Sequence, residues 1–373
     1  MTMDRRRFCA GLALAGLGGA LPALASQPRM LTDMAGRTLR LPAAPRRIVL
    51  LEARDILTMA LLHPEPASLV VGWAAADRID SDALRARFER KRPIAVIGKQ
   101  APTTISLEGI VNLAPDLVVA SAFMAPQDGA SGLLQRLAAL GIPVAFSDVA
   151  SNAAAPAGAG PIDTLHRNLR MWGEILDAGD RAAAYSAFAD ERLAEVARRL
   201  AGARPVTTYL EVQSTPDDCC WAAGKQVWGE LLALAGGQSL PGVTAPWYQK
   251  LQLEYLLATP HDVYIASGGG WVSGGRPAIG PGIDPAQGRA GLRRLVARTG
   301  FAALPSVRQG RVHGIWTGLI TVVPFNPLFV EAAAKWLHPD RFADFDPAET
   351  LATINRRFLQ EPIDGPLWVS LQE

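Results

Sequence analysis

The chain reads as an α/β protein built of two similar lobes, and three observations predict it. Alternation of apolar strands and short helices begins near residue 48, pauses after residue 146 and restarts at residue 206. Between the two runs, residues 163–200 carry a helical apolar stripe with few breaks. One unit also occurs once in each half: SLEGIVNLAPDLVV at 106–119 and QLEYLLATPHDVYI at 252–265. In each copy a glutamate, Glu108 or Glu254, opens a short helix. A proline, Pro115 or Pro260, stops that helix because it lacks an N–H and clashes with the preceding turn. An aspartate, Asp116 or Asp262, stands eight positions after the glutamate and leads into an apolar run with the look of a buried strand. A unit used once per half implies two like-built lobes with one exposed carboxylate on each.

The elements follow in order. Residues 32–42 read as a hairpin turning at Ala35 and Gly36. Strands are predicted at 48–51, 69–73, 95–98 and 142–146, with helices at 55–62 and 133–140, the latter closed by Gly141. Residues 77–92 are polar and arginine-rich, and 150–161 is an Ala/Gly/Pro-rich loop or linker. Within 163–200, Leu165, Leu169, Trp172, Ile175 and Leu176 share one face, continued by Tyr185, Phe188, Leu193 and Val196. Gly173 and residues 177–180 are the weak points of that helix. The second half predicts strands at 206–210, 263–266 and 311–316, a helix at 227–235 capped by Gly236 and Gly237, a long Gly/Pro-rich loop at 267–288, and closing helices near 328–336 and 347–358.

Length and composition bound the function. With 373 residues, two domains are the natural prior, and 49% hydrophobic against 19% charged residues allows real cores. Residues 1–25 read as an export leader: Arg5, Arg6 and Arg7 precede Phe8, a weakly apolar Gly/Ala-rich run and a small-x-small cleavage site at Ala23, Leu24 and Ala25. Paired arginines before such a run look like a twin-arginine signal, and the run is too short and glycine-rich to span a bilayer. The leader carries three arginines against Asp4, so the remaining chain is formally near neutral. That excludes a general nucleic-acid binder, which needs a basic surplus. Beyond Cys9 only the adjacent pair Cys219 and Cys220 remains, which is no disulfide framework; a vicinal disulfide and two thiols both stay open.

These residues resemble a family: the substrate-binding proteins of ABC importers, of the cluster carrying ferric siderophores, haem and vitamin B12. The resemblance rests on Asp33-x-x-Gly36-Arg37 with Pro42, on Pro45-x-Arg47-Ile48-Val49, on 113–118 (LAPDLV) and 140–144 (LGIPV), on 229–237 with Gly229, Glu230, Gly236 and Gly237, and on His338-Pro339-Asp340. It implies two Rossmann-like lobes with central parallel sheets, residues 26–160 and 203–373, joined by one long α-helix at 161–202, with the ligand in the cleft between them. It also implies a periplasmic monomer that docks on an ABC permease dimer through Glu108 and Glu254. Two distant anions can register a two-lobed protein on a dimeric partner; the plainer role is that of helix N-terminal carboxylates favoured by the dipole.

Ligands of open α/β sheets bind beyond the strand C-termini. The loops there hold Glu52, Arg54, Trp73, Phe123, Gln213, Trp247, Tyr248, Trp271, Arg276 and Trp316. Tryptophans at such places suit a flat, partly apolar ligand, and arginines suit its anionic groups; each of these residues also has a plainer role in core or surface. Trp221 and Trp228 read as structural. The expected cargo is a ferric siderophore, with vitamin B12 or haem as alternatives; Tyr209 and His313 are the candidate axial ligands for haem. No covalent cofactor and no resident metal are expected, because His63, His166, His261, His313 and His338 are dispersed. An exported hydrolase is the competing class, but there is no Gly-x-Ser-x-Gly elbow, His-Glu-x-x-His pair or phosphate loop, so no catalytic residue is assigned.

Overall fold

A computed structural model describes residues 29–41, 43–126, 132–150, 160–270 and 275–372. The export leader at 1–25, Pro42, most of the 150–161 linker and Trp271 lie outside these residues.

The first lobe opens on an antiparallel hairpin, β1 (Arg29–Thr32) and β2 (Thr38–Leu41). Its turn uses Gly36 at φ 75°, a left-handed position that glycine accepts without strain. The buried Asp33 carboxylate accepts the N–H groups of Ala35, Arg37 and Phe146 and two bonds from the Arg37 guanidinium. Arg37 also donates to the Val144 carbonyl at 2.7 Å, so the Asp33-x-x-Gly36-Arg37 run clamps the hairpin to the edge of a sheet. That sheet has strands β3 (Ile48–Leu50), β4 (Val70–Ala74), β5 (Ala95–Gly98), β6 (Leu117–Ser121) and β7 (Val144–Asp148). They are all parallel, in the order β5-β4-β3-β6-β7. The three middle strands are buried throughout, as continuous apolar runs covered on both faces should be.

The second lobe is centred on the parallel trio β8 (Val206–Glu211), β12 (Val263–Gly268) and β13 (Val312–Trp316). Around it lie short strands: β9 (Trp221–Ala223), β10 (Gly237–Ser239), β11 (Tyr248–Lys250) and β14 (Trp368–Ser370). β10 adds in parallel to β8, whereas β9, β11 and β14 run antiparallel to their neighbours. The expected parallel core is present, and the sheet around it is mixed.

Residues 163–200 form two helices rather than one. Pro161–Leu176 ends where Asp177 turns left-handed at φ 57°, and Gly179–Arg199 begins after Ala178. The two fold back on each other: His166 Nε2 lies 2.8 Å from Asp190 Oδ1. In a single straight helix, residues so far apart would be separated by about 36 Å. The turn closes tightly because position 173 is glycine; a Cβ there would stand 2.8 Å from the Ala182 Cβ. The second helix is the connector. Near its start Arg181 donates to the Leu61 carbonyl of the first lobe (2.7 Å), and further along Arg192 pairs with Glu331 (2.7 Å) and Arg199 with Asp344 (2.6 Å) of the second. The long link between lobes is thus Gly179–Arg199, with the preceding helix packed against it. Every residue assigned to the apolar stripe is buried, and the main core runs through both lobes and this hairpin.

Candidate functional site

The loops after the parallel strands face the seam between the lobes, and β3 delivers two charges there. Glu52 is 1% exposed. Its Oε1 accepts from the Ser121 hydroxyl (2.8 Å) and Arg78 Nη1 (3.3 Å), while its Oε2 lies 3.3 Å from Arg78 Nε and 3.7 Å from Arg54 Nε. Arg54 reaches Asp148 at 3.4 Å. Burial, and after it the Arg54 charge, pull the Arg78 guanidinium down to about 10. Next to this network, burial pushes the Asp55 carboxyl up to about 7, although the Ser147 hydroxyl donates to it at 2.6 Å. Phe123, 48% exposed, has its ring centroid 6.0 Å from the Arg78 guanidinium of this network. A solvent-facing aromatic ring backed by a cation is therefore the accessible part of the first lobe here.

In the second lobe Trp247, just before β11, and Tyr248, its first residue, are both half-buried. Tyr248 meets the edge of Trp221 with ring centroids 5.6 Å apart. Lys250 stands 5.3 Å from the Trp221 ring, and Asp218 accepts from Trp221 Nε1 at 2.8 Å and from Lys250 at 2.5 Å. Cys219 and Cys220, just before β9, are joined as a vicinal disulfide.

Other sequence-predicted positions lie elsewhere. Trp73 and Trp316 are fully buried. Trp73 packs in the core of the first lobe. Trp316 and Arg276 belong to a seam where the lobes touch directly. The Asp80 carbonyl accepts the Gly270 N–H at 2.9 Å and Trp316 Nε1–H at 3.3 Å, and Ser81 donates to the Pro281 carbonyl at 2.9 Å. Arg276 donates to the Gly268 carbonyl (2.9 Å) and the Thr317 hydroxyl (2.5 Å) and lies 3.8 Å from the Asp80 carboxylate. Glycine is required there: a Cβ on Gly270 would meet the Asp80 backbone carbonyl at 2.7 Å and the Ser81 Cα at 3.0 Å. Trp271 falls outside the described residues. Gln213 is exposed on the loop after β8.

Sequence reasoning named neither Arg78 nor Asp80, and it read Trp221 as structural without its partners Lys250 and Asp218. The one signal available was alternation, which would have put Trp221 and Ala223 on one side of β9. Tyr209 and His313 lie inside the second lobe. Tyr209 donates to Glu211 at 2.8 Å. His313 stacks on Trp336 at 4.4 Å, and burial followed by the Arg311 charge pushes its imidazole down to about 3. Among the described residues no group of three or more His, Cys, Asp or Glu is placed to hold a metal ion, and no helix is long and apolar enough to cross a membrane.

The two repeat units occupy equivalent places. Their helices, Leu107–Asn112 and Leu253–Ala258, lead into the N-terminal ends of β6 and β12, away from the seam loops. Glu108 and Glu254 are both exposed in the first helical turn. The Asp116 N–H bonds the Arg47 carbonyl (2.8 Å) and the Asp262 N–H bonds the Thr207 carbonyl (2.9 Å), the matching contacts in the two sheets.

Three solved structures share the architecture. A TroA-like periplasmic binding protein FepB from Veillonella parvula has 23% identity and a TM-score of 0.77, over 92% of this chain and 100% of that one. The molybdate periplasmic binding protein MolA of a Haemophilus influenzae ABC transporter has 16% identity and a TM-score of 0.70, over 90% and 99%. A protein of an ABC-type Fe3+-hydroxamate transport system from Saccharomonospora viridis has 20% identity and a TM-score of 0.61, over 84% and 99%. At such identities the likeness is one of fold. No curated protein sequence matches the chain. The family model described as periplasmic binding protein matches residues 59–315, well over half of the chain. The two-lobed α/β chain therefore belongs to the periplasmic binding protein family, whose members bind substrates for ABC transporters and are not enzymes.

Proposed function

We propose that the chain is exported by the twin-arginine route, works as a monomer in the periplasm, and captures a ferric siderophore between its lobes for delivery to a dimeric ABC permease. The observations that support this reading are the exposed Phe123 ring beside Arg78 in one lobe and the half-buried Trp247 and Tyr248 in the other. Aromatic faces grip the organic part of a chelate, and nearby cations favour its negative charge. A siderophore brings its own ligands to the iron, so it asks for no metal-binding side chain. Haem asks for an axial ligand, and Tyr209 and His313 are both enclosed in the second lobe. The solved relative described as part of an Fe3+-hydroxamate system supports the same direction.

The test is quenching of tryptophan fluorescence by ferric hydroxamate, ferric catecholate, ferric citrate, haem and cobalamin. One class of ferric chelate should bind saturably, and Phe123→Ala and Trp247→Ala should each weaken it roughly tenfold, a change of about 1.4 kcal/mol. Saturable binding of haem or cobalamin with none of the ferric chelates would overturn the cargo assignment.

A further inference from the structure

The repeat units agree in more than their glutamates. From Ser106 to Leu117 and from Gln252 to Val263 the pattern of exposed, half-buried and buried residues is the same at every position. The outward positions of each helix are therefore the same: Glu108 with Val111 in one, Glu254 with Leu257 in the other. Val111 is 40% exposed and Leu257 39%. Seven large hydrophobic side chains are exposed among the described residues, and two of them fall at this one register, three positions after the carboxylate. Three residues is close to one helical turn, so glutamate and apolar side chain are neighbours on one face.

We propose that Val111 and Leu257 are paired apolar anchors for the permease, each docking beside its glutamate. The inference rests on the docking role read for Glu108 and Glu254 and adds what makes that docking hold. An ion pair left in water is weakened by solvent and screened by salt. Apolar contact beside it excludes water and strengthens the charge–charge attraction. The matching partner presents, on each of two equivalent subunits, a cation next to an apolar residue. Duplication of the patch in this chain is what a two-fold partner requires, because each lobe then meets the same surface.

The experiment uses the full mature chain and its cognate ABC permease in nanodiscs, read as ATPase stimulation by cargo-free binding protein. The Val111→Asn, Leu257→Asn double variant should raise the half-saturating concentration at least tenfold and make it more sensitive to salt, because the ion pairs are then left in water. The Glu108→Ala, Glu254→Ala variant should raise it too and flatten the salt dependence. Val96→Asn, an exposed valine on the edge strand β5, should change nothing. All positions are solvent-facing, and unchanged melting temperatures verify folding. Unchanged stimulation by the Val111→Asn, Leu257→Asn variant, with the glutamate variant impaired, overturns the anchors alone. Normal stimulation by the glutamate variant overturns the docking role itself.

Discussion

Glu331 illustrates how one buried acid ties stability to pH. It sits at the connector, fully enclosed, with Oε1 accepting from Arg192 (2.7 Å) and Thr350 (3.1 Å) and Oε2 without a hydrogen-bond partner among the described residues. Burial raises its carboxyl to about 7, and the Arg192 charge only partly opposes this. The folded state therefore holds a proton that the unfolded chain releases at lower pH. Stability from this group is complete below about pH 4 and lost as pH rises through about 7. Urea unfolding at pH 4.5 and 8 should show the wild type losing about 3 kcal/mol more than Glu331→Gln across that interval. Equal losses would mean that the group is ionised throughout. Single residues also mark the limit of reading from sequence. Phe123, expected on a loop after a strand, is 48% exposed. Trp73 and Trp316, chosen by the same rule, are interior. A strand sends successive side chains to opposite faces, and position along the chain does not say which face is covered.

At the scale of elements, the strongly patterned pieces were legible. The predicted helices 55–62 and 347–358 are present with those bounds, and the parallel strands fall within about two residues of expectation. The helix Asp82–Glu89 was not legible, since its charged sequence buries only Leu84; it is set by the Ser81 cap, which accepts the Leu84 N–H at 3.2 Å. Helix Pro285–Val296 was hidden in the same way by glycines at 288 and 291, which let it lie close against residues 277–279. The connector is the instructive difference. A continuous apolar stripe is equally compatible with one straight helix and with two that share a core, and the choice fell to Asp177 and Gly173. Gly173→Val should therefore strain the hairpin at its contact with Ala182 and lower stability by about 1–3 kcal/mol in urea unfolding. An unchanged midpoint would show that the turn has slack.

For the whole molecule, the arrangement of the lobes depends on a seam that is polar and narrow. Asp80, Ser81, Gly270, Pro281 and Trp316 provide backbone-rich hydrogen bonds, and helix Asp82–Glu89 adds contacts from Arg87 to the Pro362 carbonyl and to Glu361. Such contacts are individually modest and can open without exposing a large apolar surface. Gly270→Ala would drive a methyl group against the Asp80 backbone carbonyl, at 2.7 Å, and part the lobes. Solution X-ray scattering should then record a larger radius of gyration, and cargo affinity should fall about tenfold; scattering identical to the wild type would locate the yielding element elsewhere. The sequence pointed to Arg276 and Trp316 of this seam but not to their partners, because its contacts join residues some 190 to 275 positions apart and are made largely by backbone groups.

One of those seam contacts also equips the molecule with an optical gauge. The Trp316 indole N–H is satisfied by the opposite lobe and shielded from water. If the lobes separate, that N–H must exchange a carbonyl for solvent, and its emission moves toward longer wavelengths. The colour of one buried ring thus reports the distance between two halves of the chain, with no label attached.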